Sequence, residues 1–480
     1  MRIIGNDPNT PRQTQAVASG ALSTGDTVVV NGDGTVSAIS GASGSVGSPA
    51  IFEGGNTNFI SATYDANAQK VVLFYTDNSN SGYGTSVVGT VSGTSISFGT
   101  PVVFNSRSTS YSASAYDANA QKIVVAYRDQ GNSNYGTARV GTVSGTSISF
   151  GSSAVFESAL AYFISVAYDA NAQKVLIAYA DGGNGTYGTS RVGTISGTSI
   201  SFGSVAVFNS SYTDNISATY DSNAQKIVIA YRDGGNSYYS TAIVGTISGT
   251  SITYGTEVVI NSGNSGSHSA VYDASAQKVV VGYTDGSNSN YGTAKVGTVS
   301  GTSISFGSAS VFNTANSSYI TGAYDSTLER VVFSYNDSGN LQYGTYVVGT
   351  VSGTSISFIA PALFISVRAN FNSIAYDANA DKMVIPYSDN GNSSRGTAVV
   401  LTVPSTNLTS ENYIGTAKSG APDGVGVTIH TKGAVDENQT GLTAGQSYYV
   451  LANGSLSTTP GDPSVFAGTA VSSTKLIVKG

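Results

Sequence analysis

An all-β fold, built as a closed ring of seven like units, is predicted by three observations on the sequence. A Tyr-Asp pair returns every 52 residues, at Tyr64/Asp65, Tyr116/Asp117, Tyr168/Asp169, Tyr220/Asp221, Tyr272/Asp273, Tyr324/Asp325 and Tyr376/Asp377, with no slippage. Inside each period, four runs rich in Val, Ile, Tyr, Phe and Thr are separated by turn residues. The seventh period loses its fourth run after Pro404, and a matching run, Pro49-Ala50-Ile51-Phe52, stands ahead of the first. A long repeat kept without insertions means that every unit packs on its neighbours in one geometry. Four antiparallel strands in each of seven units describe a seven-bladed β-propeller, with strands from both ends of the repeat array sharing the last blade. A parallel β-helix, the competing solenoid, has shorter coils and no antiparallel hairpins.

Taken in chain order, residues 1–15 are polar, carry Pro8 and Pro11, and read as an extended arm. Two strand-like runs follow, Thr27–Asn31 and Thr35–Ile39, around the turn Gly32-Asp33-Gly34, and a Gly/Ser linker at 40–47 leads into the ring. In the first repeat the strands read 61–65, 70–76, 84–91 and 94–104. Small residues in the first strand (Ser61-Ala62, Ala113-Ser114, Thr321-Gly322) suit a strand crowded near an axis, and the Ser92-Gly93 turn suits a positive φ. Beyond the ring, further strands read Ser447–Leu451, Ser464–Ala467 and Lys475–Lys479, with turns at Asn453-Gly454 and Pro460-Gly461. Ring closure brings the two flanks together, so the expected division is an arm and first part of a small β-domain (1–46), the propeller (47–411) and the remainder of that domain (412–480).

Composition removes several classes of function. Charged residues are only 10% of the 480, Gly numbers 58 and Tyr 30, which with the strand periodicity reads as a folded protein with a Ser/Thr/Asn/Gly surface. The net charge of -7 identifies no partner, because half of the 28 acids belong to the two repeated Asp motifs. The 21 Lys and Arg form no basic run, which argues against nucleic acid. Cysteine is absent, so disulfides, thiolate zinc sites and Cys nucleophiles are excluded. No apolar run is long enough to span a bilayer and the N-terminus has no apolar signal core, so no membrane insertion and no signal-peptide export are expected.

Three motifs could carry chemistry. Each second strand ends in Tyr-x-Asp, with an Asn three residues later, as in Tyr75, Asp77 and Asn80. Asp77, Asn80 and their repeat equivalents are weak Ca²⁺ candidates, since each loop has a single carboxylate; the alternative is that both residues bond the backbone of their own turn. Glu53 and Glu157 occupy equivalent positions where most repeats hold Asn. They are the only candidates for a glycosidase pair, which needs convergent carboxylates; surface residues are the plainer reading, and no catalytic residue or cofactor is assigned. His268 stands where other repeats have Ile, and His430 lies in the flank; neither has a neighbour in sequence that suggests a triad.

Divergence between copies is more informative than identity, since all copies share one scaffold. It is greatest where one repeat's fourth strand runs to the next repeat's first, and strand alternation puts that stretch on the face of the Asp-x-x-Asn loops. Asn58, Arg107, Tyr111, Tyr162, Tyr212, Asp214, His268, Tyr319 and Arg368, read as top-face loop residues, are the candidate contacts for a glycan or protein. Drift in unconstrained loops is the competing account.

The flanks add a resemblance. Gly441-Leu-Thr-Ala-Gly-Gln-Ser-Tyr-Tyr-Val450, then Gly454-Ser-Leu-Ser-Thr-Thr-Pro460 and Ala470-Val-Ser-Ser-Thr-Lys-Leu-Ile-Val478, resemble a module of virion proteins of tailed phages, notably fibre and appendage proteins of marine and cyanobacterial phages. The segment 18–39 is similar to material found beside that module, and the repeats resemble propellers of the same kind of protein. With no Trp, the chain matches neither Trp-Asp repeats nor the sialidase Asp-box. The resemblance implies a non-enzymatic virion surface protein, assembled in the host cytoplasm: a capsid decoration, short appendage or fibre tip. Its terminal domain would contact other virion proteins and its propeller a host-surface glycan or protein, with a homo-oligomer left open. A secreted bacterial lectin-like propeller and a glycan-cleaving enzyme are the alternatives, separated by an export signal and by activity lost in Glu157→Gln.

Overall fold

The computed structural model describes residues 12–41, 44–405, 408–409, 411–460 and 464–479. Chain contacts divide it into two units, one of 46–402 and one joining 1–45 to 403–480. The ring's own contacts thus stop short of the boundary at 411 drawn from the repeat, because the front of the chain supplies the seventh repeat's outer strand.

In the first repeat the inner strand is the second half of Ala50–Asp65, followed by Lys70–Asp77, Tyr83–Ser92 and a two-part outer strand, Ser95–Phe98 and the start of Val102–Asp117. The same order recurs in every repeat, and Arg395–Thr402 pairs antiparallel with Ala50–Asp65 (Thr397 opposite Ile51, Gly396 opposite Glu53), so the pairing closes on itself. The chain folds as a β-propeller. One correction to the sequence reading is needed: the divergent stretch is not a loop. At five of the seven junctions outer strand and next inner strand form one continuous strand of 16 residues, as in Val102–Asp117 and Ala154–Asp169, and at the other two the strand is interrupted after Asn264 and after Asn370. The tight turn behaves as its dipeptide required, with Gly93 at φ 60° and open space where a Cβ would stand.

The repeated motifs tie repeats together. Asp65 accepts from the amides of Asn67 and Ala68 in its own turn, while Tyr64 Oη accepts from the amide of Asn379 in the neighbouring repeat. Tyr168, Tyr220 and Tyr272 do the same for Asn119, Asn171 and Asn223. Near the axis, Ser165 Oγ and Ser217 Oγ accept from the amides of Ala218 and Ala270, one repeat on. Small side chains there let adjacent inner strands approach closely enough to hydrogen-bond.

The apolar core lies between neighbouring sheets. Each cluster draws on two repeats: Ala126 with Ile177, Ala178 with Ile229, Ala230 with Val281, Phe74 with Val125. On the second strand, Tyr75 and its equivalents are fully buried, most of them against a Phe of the outer strand, with Phe156 and Tyr179 centroids 5.1 Å apart. That Phe covers a glycine on the third strand, and a Cβ on Gly136 would run into the Phe156 ring. Where Ser240 replaces the glycine, Ile260 replaces the Phe. Gly136→Ser should therefore lower stability by ~1–3 kcal/mol, seen as a lower denaturant midpoint, and Phe156→Ile in the same chain should recover most of it.

The second unit contains two five-stranded sheets. In the first, Gln13–Val17 and Thr27–Val30 pair with Gly426–His430 and Tyr413–Ala417. Residues 13–15 are thus strand, not arm, and 1–11 of the expected arm lie outside the described residues. The second sheet runs from Val435–Asp436 to Leu456–Ser457, with Leu476–Val478, Val465–Ala470 and Ser447–Val450 between them. Gly461 of the expected turn, and 42–43 of the expected linker, also lie outside the described residues. Val29, Tyr413, Tyr448, Val450 and Leu476 share one core. Its strands are short, and the material is drawn from both flanks.

Candidate functional site at the ring axis

One irregularity builds the site. On the inner strand of the first repeat, Asn58 pairs with Thr76 and Ser61 with Phe74, so Phe59 and Ile60 together oppose the single residue Tyr75. Two residues against one is a β-bulge, and it re-aims side chains. Its first residue is left-handed in all seven repeats although none is glycine: Phe59, Tyr111, Phe163, Asn215, Ser267, Tyr319 and Phe371 have φ between 44° and 53°. Such a conformation costs a bulky residue on the order of 1–3 kcal/mol, and surrounding structure must hold it. The repeated bulge is part of the scaffold; what varies is the side chain it presents.

Both bulge residues of every repeat line a cavity of about 310 Å³. Five of the seven left-handed positions are aromatic and form a continuous arc. Tyr111 packs on Phe163 (5.3 Å between centroids) and Phe59 (5.0 Å); Phe371 packs on Phe59 (5.2 Å) and Tyr319 (5.3 Å). The arc is broken at Asn215 and Ser267. At the second bulge position four repeats carry Ile, whereas Ser112, His268 and Asn372 are polar.

Each of those three residues carries a polar side-chain atom left unpaired among the described residues. Ser112 Oγ, His268 Nδ1 and both side-chain atoms of Asn372 are buried without a hydrogen-bond partner among the described residues. An unpaired buried polar group costs ~1–3 kcal/mol, so four such atoms facing one cavity call for an explanation. His268 Nε2 does have a partner, Ser240 Oγ at 2.6 Å. Burial pushes the His268 imidazole down to about 4, with Asp214 and the nearby Asn215 backbone opposing the shift, so the ring is neutral at pH 7. Asp214 is itself held by Arg232, whose Nε donates to Oδ1 at 2.6 Å, and Asn215 Nδ2 donates to the same oxygen at 2.9 Å.

The structure thus brings together Tyr111, His268 and Tyr319 of the sequence candidates, while the others lie elsewhere, on strands and not loops. Tyr162 and Tyr111 flank the Arg128 guanidinium, each 4.9 Å from it. Tyr212 is exposed and meets Tyr238 at 6.2 Å. Arg107 donates to Gly131 O at 2.6 Å, Arg368 to Asn370 at 3.0 Å, and Asn58 is half-buried beside the bulge. Phe59, Phe163, Phe371, Asn215, Ser267, Ser112 and Asn372 were missed. They stand at the same repeat offsets as Tyr111 and His268, so reading one offset across all seven copies finds them.

The remaining candidates have local duties. Asp77 accepts from the amides of Ser79 (3.0 Å) and Asn80 (3.1 Å) and so caps its own turn. Among the described residues no three His, Asp or Glu side chains cluster as metal ligands. Tyr75 Oη donates to Glu53 (3.2 Å) and Tyr179 Oη to Glu157 (2.8 Å). Both carboxylates sit on outer strands and neither lines the axial cavity.

No family model matches this chain, and no curated protein does either. Solved structures do. The lectin BP39L from Burkholderia pseudomallei superposes with a TM-score of 0.53 at 8% identity, over 74% of this chain and 99% of that one. A protein of unknown function from Dyadobacter fermentans gives 0.45 at 12% identity, over 76% and 98%. A leech intramolecular trans-sialidase gives 0.44 at 8%, over 76% and 70%. At 8% identity the likeness to BP39L is one of fold alone.

Proposed function

We propose that the chain is a non-catalytic carbohydrate-binding propeller, presented on the surface of a phage particle by the small β-unit. The axial cavity carries this reading. Aromatic rings offer flat apolar surface to the apolar face of a sugar, and neutral polar groups beneath them offer partners to its hydroxyls; such a combination of apolar wall and few placed polar groups is what small-ligand pockets share. The fold likeness to the BP39L lectin supports it. The two glutamates that could have served hydrolysis are bonded to tyrosines away from the axis, which favours binding over turnover. The particle location rests on the flank resemblance alone.

A glycan array probed with the full chain tests the first part. Binding to a defined set of glycans, lost at least tenfold in Phe59→Ala and Tyr111→Ala with the melting temperature retained, is the expected result. Silence on a broad array, or cleavage of an arrayed glycan, would overturn it. Mass spectrometry of purified particles tests the second part, and absence of the polypeptide from them removes it.

A further inference from the structure

We infer that the axial cavity takes one uncharged sugar ring per chain, read by Ser112, His268 and Asn372; this deepens the carbohydrate-binding reading and rests on it. A propeller of near-identical repeats could bind one ligand per repeat, but at the second bulge position unpaired polar atoms occur in only three of the seven repeats, and those three residues line the same cavity. At about 310 Å³ this cavity is at the small end of the ~300–1,000 Å³ typical of ligand pockets, suited to one ring and not to a chain.

Charge favours a neutral ligand. No Asp, Glu, Lys or Arg lines the cavity; of the cations next to its lining residues, Arg232 is matched by Asp214, and Arg128 is held between the Tyr111 and Tyr162 rings with its Nε on Ser110 Oγ. A carboxylated sugar would lose its hydration there without a counter-charge, whereas hydroxyls lose theirs to waiting partners. Asn372 supplies both a donor and an acceptor, Ser112 either, and His268 Nδ1 the role complementary to the one Nε2 takes toward Ser240.

His268 departs from the repeat together with its support. His268 replaces Ile only where Ser240 replaces Gly and Ile260 replaces Phe, so the room and the partner for the imidazole come in the same sector. Three coordinated departures from a repeat this regular fit a selected site.

The test is titration calorimetry with ligand-observed NMR, using the full chain and the methyl glycosides of glucose, galactose, mannose, fucose, glucuronic acid and N-acetylneuraminic acid. At least one neutral glycoside should bind with one site per chain and weaken tenfold or more in Asn372→Ile, which installs the residue four other repeats carry. Ser112→Ala serves as a second, milder variant and should weaken it severalfold. Several sites per chain, binding indifferent to both variants, or preference for either acidic glycoside overturns the inference while leaving carbohydrate binding intact. If neither these glycosides nor any arrayed glycan binds, it is the underlying functional reading that falls.

Discussion

Phe333→Ala should lower the stability of the ring by about 3–5 kcal/mol, the range for emptying a fully buried aromatic site. Phe333 is wholly buried and packs on Phe312 at 5.7 Å. Its equivalents are Leu73, Val125, Ile177, Ile229, Val281 and Ile385, all smaller. The extra volume is matched by Gly282 of the preceding repeat and Gly322 of its own inner strand, where a Cβ would come within 2.8 Å and 2.7 Å of the ring. Elsewhere the facing pair is Ala126 with Ile177 or Ala178 with Ile229, so the larger ring of Phe333 is matched by the smaller Gly282 across the interface. Gly282→Ala alone should destabilise, and Gly282→Ala with Phe333→Ile, which rebuilds the Ala/Ile pair, should cost less than the single changes added together. Denaturant midpoints of the four chains measure this. Additive effects would mean that the two residues do not share a packing site.

The second large effect is one of pH. The His268 imidazole has its pKa at about 4 in the folded chain, against 6.5 when free of the fold, because burial penalises its charged form. Above pH 6.5 neither state holds the proton, and there is no contribution. As pH falls from 6.5 towards 4 the unfolded chain takes up a proton that the folded chain refuses, so stability declines across that window by on the order of 3 kcal/mol. Burial raises the pKa of Asp169, Asp325 and Asp377, which acts in the opposite sense near the carboxylate range. The comparison is therefore with a chain carrying Ser240→Gly, Ile260→Phe and His268→Ile, which retains those aspartates. Its melting temperature should fall less than that of the parent between pH 7 and pH 4.5, and parallel curves would refute the assignment.

The ring was legible because a 52-residue period fixes how often the chain must return to the same place, and strand composition fixes how it travels. The turns were legible too, since Ser92-Gly93 needs a residue that tolerates positive φ. The axial site was only half visible. Alternation along a strand assigns successive residues to opposite faces, but at Phe59-Ile60 the bulge turns two consecutive residues to the same side, and nothing in Phe, Tyr or Ser announces a left-handed backbone. His268 stood out by chemistry alone, whereas Asn372 did not, because an Asn in an Asn-rich chain carries no signal until its burial is known.

Closure has a further consequence, for biosynthesis. Arg395 and Gly54 bond across 341 positions of chain, so the sheet they share is completed only after nearly the whole ring has left the ribosome. At ~5–20 residues per second the nascent molecule would wait tens of seconds with the outer half of Ala50–Asp65 unpaired. An open strand of that kind invites pairing with a second nascent copy. In this first copy alone the waiting segment reads Glu53-Gly54-Gly55, a charge followed by two residues with poor strand propensity. The edge that must wait longest is thus the one least inclined to recruit a stranger.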